Sequence, residues 1–389
     1  MIIFHLTSKI AKAFIILLSL VAFASCLKDD AATIRLSSGL NDAGIPGDYM
    51  ATDNPYIGTS TTVIPNVNYT METIGNDVVI RVDMTGVYSR DIDEWIRLIG
   101  TGEEGQNIWL SIDGQPKGIL VYNTIDDIGE NVVVKNDIVF LVDNSGSMDQ
   151  EADAIARDII SWAQTLKTKS DVQFGCVGYD GRITGAMNIT SYENINTYLQ
   201  TGKGTSRTMG FSGPDASSLK SKSTNYNISE SQVECCMAAL RYADACFNFR
   251  QGANRIFVNF TDEPNQPSGK SNFSVNFLAE QSNWSTTQGT IHTVFSEVAN
   301  ITERTNYTEK PWRMSEYTGG TILYCNSSFT GVSLSSLPVT SAIQNSYIIR
   351  FTDIEAYMDG KPHEVKITIY SEDGSVRAER IFYMIFKSK

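Results

Sequence analysis

The sequence predicts an α/β protein: a doubly wound, mostly parallel sheet inserted in, or flanked by, an antiparallel β-sandwich. Three observations carry that expectation. Over residues 136–335, apolar runs of strand length alternate with segments of helical spacing, the grammar of a parallel sheet covered on both faces. Over residues 61–130, and again over 346–386, apolar and polar residues alternate one by one, as in strands with one wet face. The 389 residues are 42% hydrophobic and 19% charged, an ordinary globular composition long enough for two or three domains.

The chain opens with Lys9 and Lys12 ahead of a 13-residue apolar run, AFIILLSLVAFAS. That run is short for a bilayer span and has the form of a secretory signal. Ala24 and Ser25 before Cys26 resemble a bacterial lipoprotein cleavage box, which implies that residues 1–25 are removed and Cys26 is lipidated. The following Leu27-Lys28-Asp29-Asp30 resembles the tag of surface-exported lipoproteins of Bacteroidota. The resemblance implies a lipid-anchored protein of the outer membrane, displayed at the cell surface. Residues 26–60, rich in Asp, Gly, Ser, Thr and Pro, read as a flexible tether.

Residues 61–135 read as a β-rich domain. Val78, Ile80, Val82 and Met84 alternate with polar or smaller positions, and Ile108, Leu110 and Ile112 repeat the pattern before an Asp113-Gly114 turn. From 136 the pattern changes. Residues 137–142 (DIVFLV) form a buried strand, 149–166 a helix with one apolar stripe, and 172–179 (VQFGCVGY) a second buried strand. Residues 201–231 read as a long polar loop. A helix follows at 233–247, a third buried strand at 255–263, and further strands at 290–297 and 321–325. Three strands in 340–389 are too few for a core of their own, so they are expected to complete the 61–135 domain. Trp109, Trp162 and Trp312 are expected in the core.

The net charge of −13 and pI near 4.8 argue against nucleic acid as a partner, because phosphate binding needs clustered Lys and Arg. After Cys26 five cysteines remain: Cys176, Cys235, Cys236, Cys246 and Cys325. The number is odd, so at least one stays unpaired within the chain. Cys235 and Cys246 share a predicted helix face but lie roughly 16 Å apart along it, too far to bond. Buried small hydrophobes is their expected role.

The chemistry concentrates in FLVDNSGSMDQ, residues 140–150. A buried strand ends in Asp143, and Ser145 and Ser147 follow at alternate positions. The third buried strand also ends in an acid, Asp262. In a doubly wound sheet, ligands bind beyond the carboxyl ends of strands where the strand order reverses. Two carboxylates facing one crevice repel unless a cation lies between them. Carboxylate and hydroxyl oxygens suit a hard ion, Mg²⁺ or Mn²⁺. Gly146 is expected to let the backbone pass close to that ion.

Asp143-Asn144-Ser145-Gly146-Ser147, between a buried strand and a helix, resembles the Asp-x-Ser-x-Ser motif of von Willebrand factor type A (VWA) domains. FVNFTDE, VQFGCVGYDG and WRMSEYTGGTILY resemble that family's other landmarks in order, over about 136–335. The resemblance implies a metal-ion-dependent adhesion site in which Asp143, Ser145, Ser147 and Asp262 serve Mg²⁺ or Mn²⁺. A protein partner's Asp or Glu would complete the coordination. The family adds a loop threonine. Here Thr205, in Gly204-Thr205, and Ser231, just ahead of the next helix, are the two leading candidates, with Thr208, Thr224 and Ser229 nearby.

The capping alternative is that Ser145 or Ser147 merely starts the following helix, which leaves the acid and the second hydroxyl unexplained. An enzyme is not expected: of three histidines, His5 lies in the signal, His292 and His363 lie on strands, and no GxSxG, HExxH or P-loop pattern occurs. The alternative to an adhesive surface lipoprotein is a pilus, fibre or envelope-assembly subunit carrying the metal loop at its tip.

Overall fold

The computed structural model describes residues 39–62, 67–89, 91–123, 133–228, 233–280, 283–285, 287–296, 308–330 and 333–386. Residues 1–25, Cys26, the start of the tether, Ser229 and Ser231 lie outside them. Among the described residues no helix is long and apolar enough to cross a membrane.

The flanking strands form two four-stranded antiparallel sheets. One has the order β1–β2–β15–β7, with β1 Val67–Ile74, β2 Asp77–Met84, β7 Leu120–Asn123 and β15 Tyr347–Phe351. The other has the order β17–β16–β5–β6, with β5 Ile108–Ile112, β6 Gln115–Lys117, β16 Pro362–Tyr370 and β17 Arg377–Ile385. A small ribbon, β3 Tyr88–Ser89 with β4 Glu94–Trp95, completes this part. The period-2 pattern turns Ile80, Val82 and Ile349 of one sheet toward Leu110, Val365, Ile367 and Phe382 of the other, and they share one core. The tail strands thus pair with the early ones, and the α/β unit lies between them in the chain. Asp113 and Gly114 both take positive φ, 48° and 78°, as a tight β5–β6 hairpin requires.

The central sheet has seven strands in the order β11–β10–β9–β8–β12–β13–β14. These are β8 Lys135–Asp143, β9 Asp171–Tyr179, β10 Ile183–Thr190, β11 Gly210–Ser212, β12 Asn254–Thr261, β13 Thr290–Phe295 and β14 Ile322–Tyr324. Five run parallel; β10 is antiparallel to β9, and β11 follows β10. Both faces are covered. Ile138, Phe140 and Val142 meet Ile155, Ile159 and Trp162 of the helix Ala152–Lys167. Val139 and Leu141 meet Leu240 and Ala243 of the helix Cys236–Cys246 on the other face. This is why the strand is apolar without interruption.

Several expectations are corrected. The stretch 201–231 is not one loop: its described part holds β11, the helix Ala216–Ser223 and two short 3-10 turns. Strand β10 and the helix Tyr192–Gln200 had no counterpart in the sequence reading, because Asn, Thr and Gln dilute their apolar pattern; the helix buries only Ile195, Tyr198 and Leu199. Residues 39–60 do not behave as a free tether. Ile45 is fully buried, Asp48 pairs with buried Lys117, and Asn54 donates to Thr368 Oγ1 at 2.9 Å. Trp109 is only half-buried, its indole donating to Thr52, whereas Trp162 and Trp312 are buried.

Candidate metal centre

The switch in strand order falls between β8 and β12, so their carboxyl ends are neighbours. Asp143 ends β8 and is 1% exposed. Its Oδ1 accepts the Ser145 backbone N–H at 2.9 Å, and its Oδ2 accepts the Thr261 hydroxyl at 2.9 Å. Thr261 ends β12, one residue past the Phe260–Val142 pair, so the register of the sheet delivers that second bond. Asp262 follows immediately.

The two serines complete a line of oxygens. Ser145 Oγ and Ser147 Oγ lie 2.9 Å apart, and Ser147 Oγ donates to Asp262 Oδ1 at 3.2 Å. Asp143 forms the buried floor, Ser145 is half-buried and Ser147 is exposed, so the line runs from the interior to solvent. Neither serine caps a helix with its side chain: Ser145 precedes the 3-10 turn Gly146–Asp149 without a capping bond, and Glu151 precedes the long helix. A Cβ at Gly146 would meet no protein atom within 4 Å, so the protein itself does not crowd the loop there.

Asn144 points the other way and anchors the loop. Its amide nitrogen reaches Thr184 Oγ1 at 2.5 Å and Thr208 Oγ1 at 3.3 Å, and its backbone N–H reaches Tyr179 O at 2.8 Å. Thr208 belongs to the 3-10 turn Gly204–Thr208, which brings Thr205 to line one small cleft with Asp143. The turn sits this close because glycine occupies 178 and 185. A Cβ at either would lie 2.1 or 2.2 Å from the Thr208 carbonyl oxygen. Thr208 is buried in this support role, and the Thr224 hydroxyl is spent locally on Ser221 O at 3.0 Å.

One residue of the centre was not anticipated. Glu234, two positions before the helix Cys236–Cys246, brings its carboxylate to Asp143 and Asp262. One oxygen from each of the three acids lies within 4.8 Å of the others. Glu234 is the only charged residue in 233–240, an isolated acid in an apolar run, and that was its one available signal.

Electrostatics strain this cluster. Burial is the main force lifting the Asp143 carboxyl above its usual range, and the charge of Asp262 adds to it. Burial lifts Glu234 as well, followed by the charge of Asp143. No lysine or arginine is among the groups acting most strongly on either. Glu234 Oε2 is a buried oxygen with no hydrogen-bond partner. Three acids, one with an orphaned oxygen, and two hydroxyls form a hard, anionic donor set, the chemistry that a divalent cation such as Mg²⁺ or Mn²⁺ fits.

The two described histidines have partners within the fold. His292 is buried on β13, its Nδ1 accepting the Thr321 N–H at 2.9 Å. His363 lies between Asp113, at 2.7 Å, and Asp359, at 2.9 Å. All five cysteines of the described residues are free, four of them buried.

No family model matches the chain, and no curated protein matches it. Solved structures do. BatB from Bacteroides thetaiotaomicron aligns at 15% identity over 54% of this chain and 95% of its own, with a TM-score of 0.34. An aerotolerance-related membrane protein from Bacteroides fragilis aligns at 14% identity, covering 54% and 98%, with a TM-score of 0.34. The PilB minor pilin from Streptococcus sanguinis aligns at 11% identity, covering 72% and 75%, with a TM-score of 0.31. Scores this low transfer neither function nor partner.

Proposed function

We propose that this chain is a VWA-type surface lipoprotein that binds a protein partner through a divalent metal ion, without catalysis. The observation that carries the reading is the series Asp143–Ser145–Ser147–Asp262 at the switch point, joined by the Ser145 N–H to Asp143 and then by two serine hydroxyls that no helix cap uses. Asp143, Ser145, Ser147 and Asp262 would hold Mg²⁺ or Mn²⁺, with Thr205 or Ser231 as the loop hydroxyl. When bound, the ion supplies a positive charge to which a partner's Asp or Glu carboxylate can attach. The residues of the chain do the rest. Thr261 and the Ser145 N–H fix the Asp143 carboxylate, and Asn144 pins the loop to β9 and β10. Exposed Ser147 and half-buried Asp262 leave the site reachable from solvent.

Such a contact is weak alone, and affinity comes from buried area and fit around it. The polar surface of 201–228 is the natural rim. Lipidation at Cys26 would place the module at the outer membrane. The test is calorimetry with Mg²⁺ on the purified chain, followed by capture of envelope or host proteins with and without chelator. Heat from Mg²⁺ binding and chelator-sensitive capture support the reading. Absence of Mg²⁺ and Mn²⁺ binding rejects it, and spontaneous ladders of the chain would favour a fibre subunit.

A further inference from the structure

We propose that Glu234 caps the metal site from within: it is a ligand of the ion in the resting state, occupies the place a partner's acid needs, and is displaced when that acid binds. This rests on the metal reading above and adds a self-closed state to it.

Geometry comes first. One carboxylate oxygen from each of Asp143, Glu234 and Asp262 lies within 4.8 Å of the other two, close to the span across one small ion with ligands at roughly 2.1 Å. Glu234 is turned into the cluster and interacts with Asp143 and Ser145, and its Oε2 is buried without a hydrogen bond. Its backbone is fixed: the Gln266 N–H donates to Glu234 O at 2.7 Å, and the Met237 N–H donates to Asn265 Oδ1 at 3.1 Å. The loops carrying Glu234 and Asp262 are therefore stitched together. The carboxylate sits at the cluster by construction, and only its side chain needs to move to release it.

Charge decides the consequence. Asp143 and Asp262 balance one divalent ion, and the neutral complex can accept a visiting carboxylate. With Glu234 in place the same complex carries one surplus negative charge and repels that visitor. Three positions past Ser231, one of the two hydroxyl candidates, the chain also brings an acid, Glu234, to the cluster. Partner binding thus exchanges one carboxylate for another, and the partner must supply rim contacts to outcompete a ligand already at hand.

Mn²⁺ serves as the probe, read by water-proton relaxation, which reports how many waters the bound ion keeps; acetate serves as the visiting carboxylate. The full chain is compared with Glu234→Ala and Glu234→Gln, each checked for unchanged circular dichroism. The wild type is expected to bind one Mn²⁺ with low relaxation enhancement that acetate leaves unaltered. In both variants Mn²⁺ affinity is expected to fall by about tenfold or more, since even groups behind a ligand carry about 10–100-fold. The enhancement per bound ion should rise as water fills the vacated place, then fall again with acetate. If enhancement and acetate response match the wild type in both variants, Glu234 is a bystander and the proposal is overturned while the metal reading stands. If the wild type binds no Mn²⁺, the metal reading fails and this proposal fails with it.

Discussion

The Thr261 hydroxyl donates to Asp143 Oδ2 at 2.9 Å from the adjacent strand, so the buried acid of β8 is held by the last residue of β12. Thr261→Val keeps the shape and removes the donor. Leaving a buried acceptor unsatisfied costs ~1–3 kcal/mol. The variant is expected to lose stability in that range by urea denaturation and to bind Mg²⁺ more weakly by calorimetry.

Asp143 itself has opposite effects with and without metal. Burial and the charge of Asp262 act against its ionised form, so Asp143→Asn relieves the metal-free protein. Its melting temperature in chelator is expected to equal or exceed that of the wild type. Added Mg²⁺ should stabilise the wild type, by about 2.7 kcal/mol at a hundredfold excess over the dissociation constant, raising its melting temperature, and leave the variant unmoved. Asp143→Ala should abolish Mg²⁺ heats with the fold mostly intact; equal heats in wild type and variant would refute the site.

Gly178 tests the support of the cleft. A Cβ there would lie 2.1 Å from the Thr208 carbonyl oxygen, a backbone atom that cannot yield cheaply. Gly178→Ala is expected to push the Gly204–Thr208 turn outward and to cost on the order of 1–3 kcal/mol, as overpacking does. Hydrogen exchange should rise at 204–208 ahead of β8.

Arg250 clamps the opposite end of the sheet. It bonds twice to Asp137, which is fully buried, and also pairs with Asp171. Arg250→Ala keeps the backbone N–H bond to Asp137 but removes its charge partner, and removing one partner of a buried pair costs ~3–5 kcal/mol. Adding Asp137→Asn should recover part of that loss in a thermal melt. No recovery would show that the arginine acts through packing alone.

His292 sets a limit in acid. Burial depresses its pKa to about 4, against about 6.5 in an unfolded chain. Between those values the unfolded state binds the extra proton, so stability rises with pH. The contribution is complete above about pH 6.5 and is lost as pH falls toward 4, to the extent of roughly 3 kcal/mol. His292→Asn should flatten this part of the pH–stability curve, measured by denaturant unfolding at pH 7 and pH 4.5.

The parts legible in the sequence were those written contiguously. Asp143, Ser145 and Ser147 share one loop, and the apolar run before them already marked the end of a buried strand. Asp262 was legible because its strand carries the same signature. Glu234 was not, since its reach to Asp143 depends on where the helix Cys236–Cys246 lands on the sheet, a long-range fact without local spacing. Thr205 and Ser231 could not be ranked from sequence for the same reason. Residues 39–60 looked like a tether because Asp, Gly and Pro also build irregular structure that packs, as Ile45 and Asp48 do here. The helix Tyr192–Gln200 was missed because three buried residues sufficed to seat it.

Asn123 of β7 and Tyr347 of β15 are directly opposed in an antiparallel pair, so the path toward the α/β unit and the path back from it pass side by side. The excursion of more than two hundred residues is therefore, for the sandwich, equivalent to an overgrown hairpin tip. A tight turn grafted between those two positions closes the same ladder, so for the sandwich the α/β unit enters and leaves the chain at one place.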